Sequence, residues 1–339
     1  MVVATAQTPE DIEMLRAREP RLDVVYEPEL LGVASLNWMV RHRRTPEEQE
    51  RFEALVDSAE VLFGVPENSG AALARTVAAN PALRWVHTIP AGGGQQVKAA
   101  KLARADLDRI VFTTSAGVHA EPLAEFAVFG VLAGAKLLPY LHTAQIRHEW
   151  AERRPMGLAP DMTVAVVGLG AIGRLTAAKL SGLGYRVVGV HRHPVDDDHL
   201  AQVYPVERLA EVAATVDAIV LALPGTEQTE RMLSLEVLEA IRPGCTVVNV
   251  GRGSTVDEPA LIEALSDGRV GFAALDVTQV EPLPGDSPLW DLPNVLISPH
   301  TAAISEHEPR LITELFAENA RRFLDGEPLK NVVNTLEFY

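Results

Sequence analysis

Cysteine is almost missing from this 339-residue chain: a lone Cys245 excludes an internal disulfide and fits a reducing compartment. Aromatics reach only 5%, and positive charge is scarce, with 30 Lys and Arg against 46 Asp and Glu. The net charge of −16 argues against nucleic acid and anionic membrane surfaces as partners, since both select basic patches. One basic run (Arg41, His42, Arg43, Arg44) is followed at once by Glu47, Glu48 and Glu50, and reads as solvated surface. The longest apolar region, 124–138, is interrupted by Glu125 and Lys136 and is too short to span a bilayer. Glu10, Asp11 and Glu13 do not suit a signal peptide. Repeats and low-complexity segments are lacking too. The expectation is a soluble, cytoplasmic protein with no membrane or nucleic-acid partner. At 47% hydrophobic it is large enough for two domains with separate cores.

Alternation of strand and helix patterns is what the chain does contain. Segments 22–26, 61–63, 83–88 and 110–112 read as strands, with helices at 9–18, 46–57, 70–79 and 96–104 between them. A long helical pattern then runs from His119 to about Trp150, with Pro139 expected to kink or split it. Alternation resumes with strands at 163–167, 185–190, 218–223, 246–250, 271–275 and 295–297. Helices are expected at 206–214, 234–241 and 259–266, and a closing amphipathic helix at 308–324, stopped by Gly326.

The most informative stretch follows the strand at 163–167. Gly168, Gly170 and Gly173 stand in the spacing G-x-G-x-x-G, a helical pattern runs on through Leu183, and a second strand follows. That order is what a dinucleotide-binding turn needs: a tight turn, close backbone approach to a pyrophosphate, and close helix packing. The helix start then offers amide N–H groups and a positive dipole end to the phosphates. NAD-specific turns place a carboxylate at the end of the second strand to meet the ribose 2′-hydroxyl. His191 and Arg192 stand there instead, and no carboxylate appears before Asp196. Both suit a 2′-phosphate, which predicts NADP(H) over NAD(H).

Three residues have side chains suited to holding an anion and exchanging a proton. Arg252 sits in a glycine-flanked turn after a strand, able to bind a carboxylate in a bidentate manner. His300 follows a proline at a strand end and suits proton exchange. Glu281 is placed to hydrogen-bond that imidazole and fix its orientation. A loop histidine taken alone is usually a surface group; the case rests on the combination. In the N-terminal part, Ala91, Gly92 and Gly93 follow a strand and expose amide N–H groups suited to a carboxylate, though the stretch reads equally as a flexible turn. Cys245 reads as core packing and not as a nucleophile.

Four separated motifs resemble those of the D-isomer-specific 2-hydroxyacid dehydrogenases: Gly168-Leu-Gly-Ala-Ile-Gly173, Asn249-Val-Gly-Arg-Gly253 with Val256 and Asp257, Ala274-Leu-Asp-Val277 with Glu281, Pro282 and Leu283, and Ser298-Pro-His-Thr301. The likeness runs from about Phe112 to the C-terminus. It implies two doubly wound α/β domains: a flavodoxin-like substrate domain (1–117 plus 305–339) interrupted by a Rossmann coenzyme domain (118–304). It implies a homodimer formed largely through the coenzyme domains. It also implies Arg252 as substrate-binding arginine, His300 as acid/base and Glu281 as its support. The cofactor is then expected along Gly168, Gly170, Ala171, Ile172 and Gly173, at His191 and Arg192, and at Leu223, Pro224, Thr229, Val250 and Asp276. No metal is expected.

Two departures bear on the substrate. Many relatives carry Val-Asp in place of the stretch Gly93, Gly94, Gln95, and an Asn-type residue near Ser115, both where substrate contacts would form. A glyoxylate/hydroxypyruvate reductase is the expected subgroup. A phosphoglycerate dehydrogenase is disfavoured because the chain ends soon after the last helix and shows no phosphate-binding basic pair, and formate dehydrogenase because its extended N-terminal pattern is lacking. The alternative is a non-catalytic NAD(P)-binding sensor of the corepressor kind, which would have no need of Arg252, Glu281 and His300 together.

Overall fold

The computed structural model describes residues 1–32, 43–336 and 338, and the chain divides into two units, Met1–His119 with Ile304–Tyr339 and Ala120–Ala303. In the first unit, β1 (Val2–Val3) leads to α1 (Pro9–Arg18), whose N-terminus is capped by the Thr8 side chain accepting from Asp11 N–H. Proline at the first helical position costs nothing there, because its missing N–H would be unpaired anyway. The same device starts α2 (Pro46–Asp57), where Thr45 and Glu48 form a reciprocal capping box. Then come β2 (Val61–Phe63), α3 (Gly70–Ala79), β3 (Trp85–Thr88), α4 (Gly94–Ala99), α5 (Arg104–Arg109) and β4 (Val111–Thr114). The strands are parallel, in the order β1-β2-β3-β4.

Several expectations needed correction here. The strand foreseen at 22–26 shrinks to one bridge, Val25 on Val2, with Val25 N–H donating to Met1 O and Val3 N–H to Val25 O, both at 3.0 Å. Counting that rung, the order around β1 is that of a flavodoxin-like sheet, reversing between β1 and β2. The helix foreseen at 96–104 is two short ones, separated at Lys101, whose φ of +50° leaves the helical region. Arg44 is not on a solvated face: its Nε donates to Leu30 O at 2.6 Å, and its guanidinium stands 3.8 Å from the Phe52 ring centroid. Arg41 and His42 lie outside the described residues.

The second unit opens with α6 (Ala120–Ala135) and α7 (Leu138–Ile146). The break expected near Pro139 falls at Leu137, held at φ +56°, and Pro139 sits in the first turn of α7. The order continues β5 (Thr163–Val167), α8 (Ala171–Gly182), β6 (Arg186–Val190), β7 (Gln202–Tyr204), α9 (Leu209–Ala213), β8 (Ala218–Leu221), α10 (Leu235–Ala240), β9 (Cys245–Asn249), α11 (Glu258–Ser266), β10 (Val270–Leu275) and β11 (Val295–Ile297). All pairings are parallel, and the sheet runs β11-β10-β9-β8-β5-β6-β7. The strand order reverses between β5 and β8, which is the Rossmann arrangement, and ligands of such sheets lie at the carboxyl ends of the strands. Residues of β5, β8 and β9 are buried on both faces, as a sheet covered by helices on each side demands. β7, a three-residue edge strand, has no pattern that announces it.

After Ala303 the chain returns to the first unit as α12 (Glu308–Asp325), ended by Gly326 at φ +70°. Its Phe316 stacks between Phe63 and Trp85, with centroids 4.4 and 4.8 Å away. A fully buried phenylalanine stabilises by roughly 2–3 kcal/mol, and here it ties sequence-distant segments into one core. Among the described residues no single helix is long and apolar enough to cross a membrane.

Candidate active site

The glycine turn after β5 has the shape its spacing requires. Gly168 takes φ +95°, and a Cβ at Gly173 would run into the Gly168 carbonyl, so neither position tolerates a side chain. Nothing lies within 4 Å of a Cβ built on Gly170. The backbone that opens α8, which carries Ala171 and Ile172, is therefore bare on one side. That is the cradle a pyrophosphate needs, and the residues present fit a dinucleotide. Arg174, which the sequence reading passed over, lies along this turn: Nε donates to Leu169 O at 3.2 Å and an NH1 sits 3.4 Å from Asp197. Its signal was a basic residue directly after the third glycine.

At the end of β6, His191 N–H donates to Tyr204 O, and its Nδ1 accepts from His193 N–H at 3.2 Å. The Arg192 guanidinium reaches Gln228 Oε1 at 3.3 Å, on the loop after β8. In that loop Thr229 serves the turn itself. Its hydroxyl donates to Pro224 O at 2.5 Å and accepts from Thr226 N–H at 2.9 Å. Leu223 is half-buried and Val250 buried.

Arg252, Glu281 and His300 follow β9, β10 and β11, which are neighbours in the sheet. Asn249 shapes the first turn, taking Gly251 N–H on Oδ1 at 3.0 Å and giving Nδ2–H to Arg252 O at 3.1 Å. The Arg252 side chain is exposed, with NH1 donating to Gly251 O at 2.7 Å. Thr278 N–H donates to Glu281 Oε1 at 3.2 Å, which aims the other oxygen, Oε2, at His300 Nδ1 2.7 Å away. With Nδ1–H directed at the carboxylate, Nε2 is the nitrogen left for exchanging a proton with a ligand. His300 sits at φ +54°, a strained conformation for a side-chain-bearing residue and one that clusters at functional sites. Its N–H donates to Asp276 O and Ser298 O, each at 2.9 Å.

Asp276, expected beside the cofactor, is buried and braces this loop. Its Oδ1 accepts from Ser298 Oγ at 2.7 Å and from the N–H groups of Thr301 and Ala302 at 2.9 Å. Cys245 is buried in the sheet core, which pushes its thiol up to about 12 and leaves it no nucleophilic role. Ala91, Gly92 and Gly93 belong to the other unit, in the loop after β3, where Gly93 N–H is spent on Pro90 O. Ser115, expected near the substrate, is fully buried, with its hydroxyl turned to the Thr88 carbonyl. No cluster of His, Cys, Asp and Glu arranged for a metal occurs among the described residues.

Residues 128–302 match the model of the D-isomer specific 2-hydroxyacid dehydrogenase NAD binding domain. The chain is 32% identical to a glyoxylate reductase of Korarchaeum cryptofilum over 66% of its own length and 69% of that protein's. It is 33% identical to D-3-phosphoglycerate dehydrogenase of Mycobacterium bovis over 82% of its length, and spans 53% of that longer enzyme. A D-isomer specific 2-hydroxyacid dehydrogenase from Xanthobacter autotrophicus, solved with NADPH and MES, superposes with a TM-score of 0.78 at 30% identity, covering 100% of this chain and 99% of that one. This chain therefore belongs to the D-isomer-specific 2-hydroxyacid dehydrogenase family.

Proposed function

We propose that this protein reduces a small 2-oxo acid to the D-2-hydroxy acid, with NADPH as the reductant. The observation that carries the reading is the 2.7 Å pairing of His300 Nδ1 with Glu281 at the carboxyl edge of a dinucleotide-binding sheet. Gly168, Gly170, Ala171, Ile172 and Gly173 would hold the pyrophosphate, with Arg174 beside them. Leu223, Pro224, Thr229, Val250 and Asp276 would border the rest of the cofactor, which when bound supplies the hydride. Arg252 binds the substrate carboxylate as a fork and so orients the carbonyl, and in the other unit the loop of Ala91, Gly92 and Gly93 is the proposed substrate segment. His300 Nε2 gives its proton to the carbonyl oxygen as the carbonyl carbon is reduced, and Glu281 keeps the ring oriented throughout.

His191 and Arg192 favour a 2′-phosphate, and the NADPH held by the Xanthobacter relative supports that preference. The glyoxylate reductase relative makes glyoxylate and hydroxypyruvate the first substrates to try. We assign 1–117 with 305–339 to substrate binding and 118–304 to the coenzyme, in a cytoplasmic homodimer. The exposed apolar residues Leu141, Ile146 and Trp150 of the coenzyme unit would form part of the dimer contact. A panel of 2-oxo acids (glyoxylate, hydroxypyruvate, pyruvate, phenylpyruvate), each with NADPH and NADH, tests the reading. Turnover with NADPH is expected; NADPH binding with no turnover would favour the sensor instead.

A further inference from the structure

Beneath the loop that follows β3 runs a buried chain of polar groups that the reaction above leaves unused. Trp85 Nε1–H donates to Thr113 Oγ1 at 2.8 Å, and that oxygen lies 2.8 Å from His87 Nδ1. His87 Nε2 lies 3.2 Å from Ser115 Oγ, which donates to Thr88 O at 3.2 Å. Trp85, His87, Thr88, Thr113 and Ser115 are all buried.

One arrangement of protons satisfies every link. An indole N–H only donates, so Thr113 accepts it and must place its own proton elsewhere; His87 Nδ1 is at hand. With Nδ1 accepting, Nε2 carries the hydrogen and donates to Ser115, whose own proton then goes to Thr88 O. In the other tautomer the Thr113 proton has no acceptor among the described residues and the Thr88 carbonyl loses the Ser115 hydroxyl, and unpaired buried polar groups are costly. Burial pushes the imidazole down to about 3, so the ring stays neutral.

The chain ends where the loop begins. Thr88 and Thr114 form the last rung between β3 and β4, and Ser115 adds one link beyond it. Thr88 Oγ1 donates to Pro90 O at 3.4 Å, and a Cβ at Gly93 would overlap that hydroxyl, so the glycine loop folds directly onto Thr88.

We propose that His87 is a positioning residue for the loop of Ala91, Gly92 and Gly93. Its Nε2–H orients Ser115, Ser115 holds Thr88, and Thr88 sets the backbone that meets the substrate carboxylate. This rests on the 2-oxo acid reading of the preceding section. It also gives the inward-facing Ser115 a task.

The test is steady-state kinetics of the full chain with glyoxylate and NADPH, alongside ¹⁵N spectra. Ser115→Ala and His87→Asn each remove the link and should raise the glyoxylate KM about tenfold, with kcat falling less. His87→Gln, whose amide nitrogen reaches the Nε2 position, should stay within about threefold of wild type. The double variant should be no worse than Ser115→Ala alone, since both changes break one link. A wild-type KM in His87→Asn, or multiplied effects in the double variant, would overturn the proposal; if His87→Asn does not fold, Ser115→Ala decides alone. If the wild type reduces no 2-oxo acid, the functional reading fails separately and the Gly92 and Gly94 amide signals decide the linkage. They should move in Ser115→Ala and His87→Asn but not in His87→Gln; unmoved signals in the first two would sink it.

Discussion

Asp276 fastens the loop of His300 to the end of β10: one carboxylate oxygen takes the N–H groups of Thr301 and Ala302 at 2.9 Å. The third donor to that oxygen, the Ser298 hydroxyl, comes from the other side of His300 in sequence. Asp276→Ala should therefore cost about 1–3 kcal/mol, because it removes the one acceptor that three part-buried donors share. Asp276→Asn keeps an acceptor and should cost less. Urea unfolding of both variants checks the ranking, and equal stability of Ala and wild type would contradict it.

His300 is the proposed proton donor. His300→Gln should lower kcat for reduction by roughly 10²–10⁴-fold, the usual weight of a positioned acid, while leaving NADPH binding in place. Glu281→Gln should lower kcat less, since it orients the ring without exchanging the proton. Kinetics combined with NADPH titration by fluorescence would show whether the loss sits in chemistry or in binding.

Arg192 is the proposed reader of the 2′-phosphate. Arg192→Asp should raise the KM for NADPH by about tenfold or more and change that for NADH far less, as loss of a charge-assisted contact predicts. A wild-type preference for NADH would defeat the assignment before any variant is made.

Burial sets a pH dependence through His87, whose pKa falls from an ordinary 6.5 to about 3 in the folded chain. Below about pH 6.5 the unfolded chain binds a proton that the folded chain refuses. Stability is thus intact above that pH and declines by about 1.4 kcal/mol per pH unit beneath it, down to about pH 3. His87→Gln has no such group, so its stability gap to the wild type should narrow between pH 7 and pH 4.5. Urea midpoints at three pH values would show it.

Trp150 is fully exposed and Leu141 nearly half so, both in the coenzyme unit. If that apolar face is the dimer contact, Leu141→Asp with Trp150→Arg should yield a folded monomer in sedimentation equilibrium. A variant that stays dimeric would move the interface elsewhere.

Local rules made much of this protein legible before any coordinates. The glycine spacing at 168, 170 and 173 dictates a turn whose shape depends only on neighbouring backbone. Thr8, Thr45 and Gly326 mark helix ends through bonds or dihedrals within a few residues. The placement of Arg252, Glu281 and His300 beyond strand ends was readable because each follows an apolar strand, and parallel strands deliver their ends to one edge.

Other features depend on partners far away in sequence and left no local trace. Val25 makes its single rung on β1, and β7 is a strand because β6 offers it an edge. Arg44 turned inward because the Phe52 ring and the Leu30 carbonyl both receive its guanidinium. The proton arrangement around His87 needs β3 and β4 in register, so no pattern in the residues 85–88 or 113–115 taken alone could reveal it. Periodicity and capping act over a handful of residues, whereas burial and side-chain pairing are properties of surfaces that exist only after distant segments have packed.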